Sequence, residues 1–318
     1  MTHLPTLVDH ARDYLALRRR LGFALVSQGR SLLAFARYAD RVRPGAPLTV
    51  PLAVEWATAT RSTDPSCAAR RLAVVRGFAR HRALFDPATQ VPPTGLIGTR
   101  YRRRQPHVYS AGEIAALLGQ AAALRPHGGL RPRTFVTLLG LMLCTGLRVS
   151  EARKLTCRDV DLHAGVIAVR EGKFRKSRLV PLHPSTVEVL RRYAAERDAC
   201  PGTPPSDHFF RTERLAVLSR MAVQSTFAKM RQRLGWSAEG RARMPRLQDT
   251  RHTFVVTRLL RWHVQGVDVD HRISALATYL GHAKVSDTYW YLSAVPELMA
   301  VVGDRFEHFA YQRRGGPS

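Results

Sequence analysis

The chain has 318 residues, 45% of them hydrophobic and 23% charged, a balance that excludes a disordered or fibrous protein and leaves length for two domains. Lys and Arg number 50 against 24 Asp and Glu, a formal charge of +26 at pH 7; that self-repulsion calls for a polyanionic partner, and a phosphate backbone meets the need while releasing its counterions. Cys67, Cys144, Cys157 and Cys200 form no CxxC pair and no zinc-finger grouping with histidine, which argues against a disulfide scaffold and against a structural metal.

At the N-terminus, Asp9, His10 and Asp13 break the apolar core that an export signal needs, so the expectation is a cytoplasmic protein. From Leu4 to about Phe85 apolar residues recur at helical spacing, as in Leu7, Ala11, Tyr14, Leu15 and again in Leu32, Leu33, Phe35, Ala36. This predicts four short helices, with breaks at Gly22, at Arg43 to Pro47 and at Thr63 to Pro65. The fourth carries Arg70, Arg71, Arg76, Arg80 and Arg82 among apolar positions, a basic face that is either solvated or turned toward DNA. Residues 91 to 108 hold Pro92, Pro93 and the run Arg100-Tyr101-Arg102-Arg103-Arg104, a basic linker able to follow a phosphate backbone.

Beyond the linker, Ser110-Ala111-Gly112-Glu113 is a capping box that opens a helix through Leu118. Phe135 to Cys144 reads as a buried helix, too short to span a bilayer. Gly165 to Glu171 and Arg178 to Leu182 are extended runs, with Gly172 to Ser177 turning between them as a β-hairpin, and the helical period returns from Thr186 to Ala195. The loop Pro201 to Asp207 precedes further helices. Pro296 to Arg314 carries the stripe Leu298, Val302, Phe306 and Phe309, which covers either a neighbouring copy or its own domain. The fold class is therefore mainly α: a helical N-terminal domain over residues 1–90, the linker 91–108, and an α+β domain with a small β-hairpin sheet over residues 109–318.

Several positions in the second domain carry chemistry. In Thr145-Gly146-Leu147-Arg148-Val149-Ser150-Glu151, Gly146 ends the buried helix, and Glu151 shares a face with Arg148, where a carboxylate can hold a guanidinium whose fork points at a phosphate. Lys173 lies in the hairpin turn with Arg175 and Lys176; each is a candidate proton donor, which phosphodiester cleavage needs because a 5′ sugar oxygen departs poorly as an alkoxide. Gln248 and Arg251 share one face at the start of another helix, and Arg251 is a second clamp for the charge that grows on nonbridging oxygens. His252 lies about 100° round that helix, a core or supporting position. Leu280-Gly281-His282 precedes Ser286-Asp287-Thr288-Tyr289-Trp290-Tyr291, and a tyrosine beside a cationic cluster can serve as a nucleophile because the cluster eases formation of the phenolate.

The ordered set Arg148, Lys173, Arg251, His282 and Tyr291 resembles the tyrosine recombinase (phage integrase) family over Tyr109 to about Leu292. The nine-residue interval from His282 to Tyr291 is the family's usual one and selects Tyr291 over Tyr289. The resemblance implies a transesterification on double-stranded DNA that needs neither metal nor cofactor. In it Tyr291 attacks the scissile phosphate to give a 3′-phosphotyrosyl link and a free 5′-hydroxyl. Arg148 and Arg251 would grip the phosphate, Glu151 would support Arg148, Lys173 would protonate the leaving oxygen, and His282 would hydrogen-bond the phosphate. It further implies that the first domain is a core-binding domain and the second catalytic, that a homotetramer forms in the DNA synapse, and that the protein is nucleoid-associated with accessory proteins as partners. One departure stands out: the family usually has histidine where this chain has Gln248, and glutamine donates a hydrogen bond but accepts no proton. Either the reaction tolerates that exchange or the chain is a catalytically degenerate DNA-binding accessory; a type IB topoisomerase-like enzyme is the other reading of the same residues.

Overall fold

In the computed structural model, which describes residues 5–60, 62, 66–98, 105–170, 177–201, 205–237 and 244–294, the chain divides into two compact units, Met1–Arg103 and Arg104–Ser318. The first is built from α1 (Leu7–Arg20), α2 (Val26–Val42), α3 (Val50–Thr58) and α4 (Ser66–Arg82), so the helices fall between the breaks that Gly and Pro mark. Thr6 and Asp9 close a capping box on α1, and the Asp40 carboxylate of α2 accepts from the Leu7 and Val8 amides at 2.9 and 3.0 Å. That carboxylate sits where the α1 dipole favours negative charge. Leu15, Leu32, Phe35, Trp56, Leu72 and Phe78 are buried together as the core of this unit.

Two of the α4 arginines have structural work. Arg71 donates to the Trp56 carbonyl at 2.6 Å with its guanidinium 4.0 Å from the Trp56 ring centroid, and Arg76 holds the Pro92 and Pro93 carbonyls, each at 2.8 Å. With Ile97 packed on the same core, the first part of the Pro-rich linker is tied to the N-terminal unit. Arg100 to Arg104 lie outside the described residues. On the far side, His107 meets Glu113 at 3.1 Å and Val108 packs on the second unit.

The second unit surrounds α6 (Leu130–Thr145), which packs against α5 (Ala111–Ala122), α8 (Pro184–Asp198) and α10 (Asp249–Val264). The Ser110–Glu113 capping box is present, and α5 runs one turn past Leu118. The central helix begins five residues before Phe135: Pro132 sits in its first turn, where no amide donor is needed, and the Glu213 carboxylate caps it by accepting from the Arg131 amide at 3.1 Å. After the short α7 (Val149–Ala152), the expected hairpin appears as β2 (Val166–Val169) and β3 (Arg178–Pro181), joined by a third strand, β1 (Val160–Asp161), in an antiparallel sheet of order β1-β2-β3. Ile167 faces Val180 on one side and Val160 on the other, so the buried apolar residues of all three strands share one register. Helices α9 (Arg220–Arg233), α11 (Val269–Leu280) and α12 (Ser286–Ala294) complete the described chain. The stripe from Leu298 to Phe309 lies outside the described residues.

Candidate active site

Two helices end at the same place. The α6 helix stops at Gly146 (φ 64°) and α11 at Gly281 (φ 68°), both left-handed, and at the second the Gly281 and His282 amides close back onto the Thr278 and Ala277 carbonyls. Neither position has room for a side chain: a Cβ on Gly146 would lie 2.7 Å from Cδ1 of Phe254, and one on Gly281 2.9 Å from Nη1 of Arg178. Arg251, in the first turn of α10 and 3% exposed, donates from Nη1 to the Gly146 carbonyl at 2.8 Å and from Nη2 to the Leu280 carbonyl at 2.7 Å. Carbonyls at helix C-termini lack intrahelical partners and carry the negative end of the dipole. Arg251 satisfies one at each helix end, which fixes the plane of its guanidinium while other N–H groups of the fork remain to meet an anion.

Arg148 sits at the N-cap of α7, where the i,i+3 geometry brings Glu151 to its side. Its Nη1 donates to Oε1 at 2.8 Å and its backbone amide to Oε2 at 3.0 Å. The same carboxylate accepts from Nη2 of Arg178 at 3.0 Å, and Arg178 also donates from Nε to the Tyr279 carbonyl at 2.7 Å. Arg148 reaches the Gly281 carbonyl at 3.4 Å, closing the ring of contacts. Burial alone would raise the Glu151 pKa, but the bonds and charges of Arg178 and Arg148 prevail and hold it below the usual carboxylate range. Burial first, and then the neighbouring Arg148, push Arg251 down to about 9, so it stays charged at neutral pH. Two guanidinium groups thus share one carboxylate inside the protein, and the third, Arg251, lies near enough to feel the charges of both Arg148 and Glu151. Arg148, with its side chain 20% exposed against 10% for Arg178, is the most open of them.

The tyrosine segment is laid beside this cluster by two histidines. His282 follows directly on the α11 stop, and its Nδ1 lies 2.7 Å from Oγ1 of the fully buried Thr288 on α12. Tyr291 is three residues on from Thr288 and therefore on the same helical face. It is 1% exposed, and its hydroxyl lies 2.7 Å from Nδ1 of His252. Tyr289 points elsewhere: it is 43% exposed and donates to Asp270 at 3.3 Å. Gln248 is half-buried at the N-cap of α10 and makes no side-chain cap bond. The next residue, Asp249, is buried and accepts from the Arg246 amide and from its Nη2, each at 2.7 Å.

Of the residues singled out in the sequence, Arg148, Glu151, Arg251, His282 and Tyr291 thus converge, with Gln248 one turn before Arg251. Lys173, like Arg175 and Lys176, lies outside the described residues. Sequence reasoning missed Arg178, which opens a strand with no local signal beyond its charge, and it gave His252 only a core or supporting position. Adjacency of His252 to Arg251 was the signal available for it. Among the described residues no group of three or more His, Cys, Asp or Glu side chains is arranged to hold a metal ion, and no helix is long and apolar enough to cross a membrane. The arrangement suits an anion with phosphate chemistry: convergent, preorganised cations in a low-dielectric setting, beside a phenol in contact with an imidazole.

A sequence model of the phage integrase family matches residues 113–297. The putative integrase/recombinase y4rB of Sinorhizobium fredii is 38% identical over 308 residues, covering 96% of this chain and 98% of that protein. The tyrosine recombinase XerD of Ralstonia nicotianae is 32% identical over 235 residues, 73% of this chain and 70% of its own. Among solved structures, the Tn1549 transposon integrase in complex with transposon right end DNA superposes with a TM-score of 0.68 at 15% identity, over 96% of this chain and 100% of that one. The XerH site-specific recombinase bound to its difH substrate in a pre-cleavage complex gives 0.59 at 18% identity, over 83% and 75%. These structures share the fold, mainly helical with a small sheet. The chain belongs to the tyrosine recombinase (phage integrase) family.

Proposed function

We propose that the protein is a site-specific DNA recombinase, a strand transferase that cuts and rejoins duplex DNA through a 3′-phosphotyrosyl intermediate. The observation that carries this reading is the grouping of Arg251, anchored on two helix ends, with Arg148 and Arg178, which share the Glu151 carboxylate, and with the Tyr291 hydroxyl beside them. A scissile phosphate supplies the negative charge that cluster lacks. Arg148 and Arg251 hold its nonbridging oxygens, where charge grows as the Tyr291 oxygen attacks phosphorus and the bond to the 5′ oxygen breaks. His282 and Gln248 add hydrogen bonds to the phosphate, and Lys173 protonates the departing oxygen. Attack by a 5′-hydroxyl of a second strand reverses these steps and releases Tyr291, so the energy of the broken bond is kept in the ester and no cofactor is needed. Exchange between two duplexes takes a homotetramer in the synapse, aided by accessory proteins. Residues 1–90 then act as a core-binding domain on the DNA and residues 91–108 as a basic linker to the catalytic domain, and the protein works in the cytoplasm at the nucleoid.

Nicked suicide duplexes drawn from DNA flanking the gene, resolved on denaturing gels, test this reading. A covalent protein–DNA adduct formed by the parent and by Tyr289→Phe, and lost in Tyr291→Phe, is the expected result. Binding to those duplexes with no adduct from the parent would overturn it, and supercoil relaxation without recombinant products would replace recombination by topoisomerase action.

A further inference from the structure

Forming the bond between Tyr291 and phosphorus requires that the phenol lose its proton, and the groups that line the phosphate seat are poor acceptors. Arg148, Arg178 and Arg251 are already protonated, Gln248 accepts none, Glu151 is held by two arginines, and His282 has its Nδ1 engaged with Oγ1 of Thr288 at 2.7 Å. We propose that His252 is the base: its Nδ1, 2.7 Å from the Tyr291 hydroxyl, takes the phenol proton as the new ester forms. This rests on the Tyr291 chemistry proposed above and adds a catalytic residue to it.

The surroundings of His252 favour the task. Asp249, one helical turn earlier, places Oδ1 3.9 Å from Nε2 of the ring. A carboxylate on that side favours the tautomer with its proton on Nε2, which leaves the Nδ1 lone pair facing the phenol, and it stabilises the imidazolium once the proton has moved. Asp249 is in turn fixed by Arg246, through both the backbone amide and the guanidinium, so the aspartate is a positioning residue with a buried, oriented carboxylate. Trp290 stands against the ring at a centroid distance of 6.2 Å and an interplanar angle of 62°, which limits how the imidazole can swing. The proton balance is complete: the Tyr291 proton goes to Nδ1, the phenolic oxygen bonds phosphorus, the bond to the 5′ oxygen breaks, and that oxygen takes a proton from the acid assigned above. In rejoining, the imidazolium returns its proton to the departing phenolate. The exchange of histidine for glutamine at position 248 therefore removes no base that the reaction requires.

The experiment is single-turnover cleavage of the nicked duplex by the full-length chain. His252→Gln keeps an amide that can hydrogen-bond Tyr291 but accepts no proton; the adduct should form about 100-fold more slowly, with DNA binding by gel shift unchanged. His252→Gly should be slow as well and recover at least about tenfold when imidazole is added, a response a purely structural role would not give. A duplex with sulfur in place of the 5′ bridging oxygen has a leaving group that needs no acid; it should rescue Lys173→Ala and leave His252→Gln slow, because the defect lies on the attacking side. Parental rates in His252→Gln, or its rescue by the sulfur substrate, would overturn the assignment. His252→Asn provides a second amide variant if His252→Gln proves unstable. Failure of the parent to form any adduct would instead sink the functional reading on which the inference rests.

Discussion

Arg197 and Arg251 are both buried arginines, 5% and 3% exposed, and both donate to backbone carbonyls, yet their surroundings differ in one respect. Arg197 is hydrogen-bonded to a carboxylate: Nε and Nη2 each meet Asp198 at 2.8 Å, and Asp198, which also accepts from Arg211 at 3.0 Å, stands partly in water. Burial pulls the Arg197 pKa down, but the pair with Asp198 more than offsets it and the net shift is upward. Among the described residues Arg251 has carbonyls as hydrogen-bond partners; burial and then the like charge of Arg148 bring its net shift downward. A buried arginine hydrogen-bonded directly to a counter-ion is a structural tie; one held by dipoles beside other cations is a seat waiting for an anion.

The comparison breaks most directly by substitution at each site. Arg251→Ala should slow adduct formation by about 100- to 1000-fold, and Arg251→Lys should not restore it, since a point charge cannot span two carbonyls and a phosphate. Arg197→Ala should leave the cleavage rate per folded molecule unchanged while lowering stability by about 1–2 kcal/mol in denaturant titration. Should both variants lose cleavage to the same degree at equal folded fraction, the distinction fails.

Removing the shared carboxylate sharpens the same point. Glu151→Gln leaves Arg148 and Arg178 without their counter-ion and should lower stability by about 3 kcal/mol at neutral pH. Because the folded pKa of Glu151 lies below its ordinary value of 4.5, its contribution is complete above that pH and is lost as the pH falls through the lower folded value. The difference in stability between parent and variant should therefore shrink in acid, read by thermal melts across pH 7 to 3. Gly146→Ala combines a left-handed backbone with a contact on Phe254 and should lower stability by about 1–3 kcal/mol, with cleavage falling as the Arg251 anchor shifts. The smallest effect is expected at Tyr289→Phe, under about 0.5 kcal/mol with cleavage unchanged, since an exposed 3.3 Å bond is all it removes.

Much of this was legible locally. The breaks at Gly22 and at Arg43 to Pro47, the Ser110–Glu113 box, the stop at Gly146 and the Arg148–Glu151 pair are each settled within a few residues by backbone and side-chain chemistry, and they appear in the structure as read. What was hidden depends on distant partners. Asp40 caps a helix 32 residues before it, Glu213 caps another 82 residues away, and Tyr291 meets His252 across 39 residues; no periodicity encodes such pairings. Strand β1 is two residues long, too short for alternation to reveal. Arg178 has no sequence mark at all, for its role comes from where β3 passes α11.

The grip of Arg251 on the ends of α6 and α11 carries a consequence for the timing of activity. The anion seat draws on positions 146, 251 and 280, parts of the chain that emerge from synthesis far apart, and none of them alone binds a phosphate with any geometry. A nascent or partly opened chain, however basic, can cling to DNA but has nothing with which to cut it. On the proposed reading of these residues, strand cleavage is in this way locked to completed folding, and the nucleic acid is spared from enzymes that could break it without being able to reseal it.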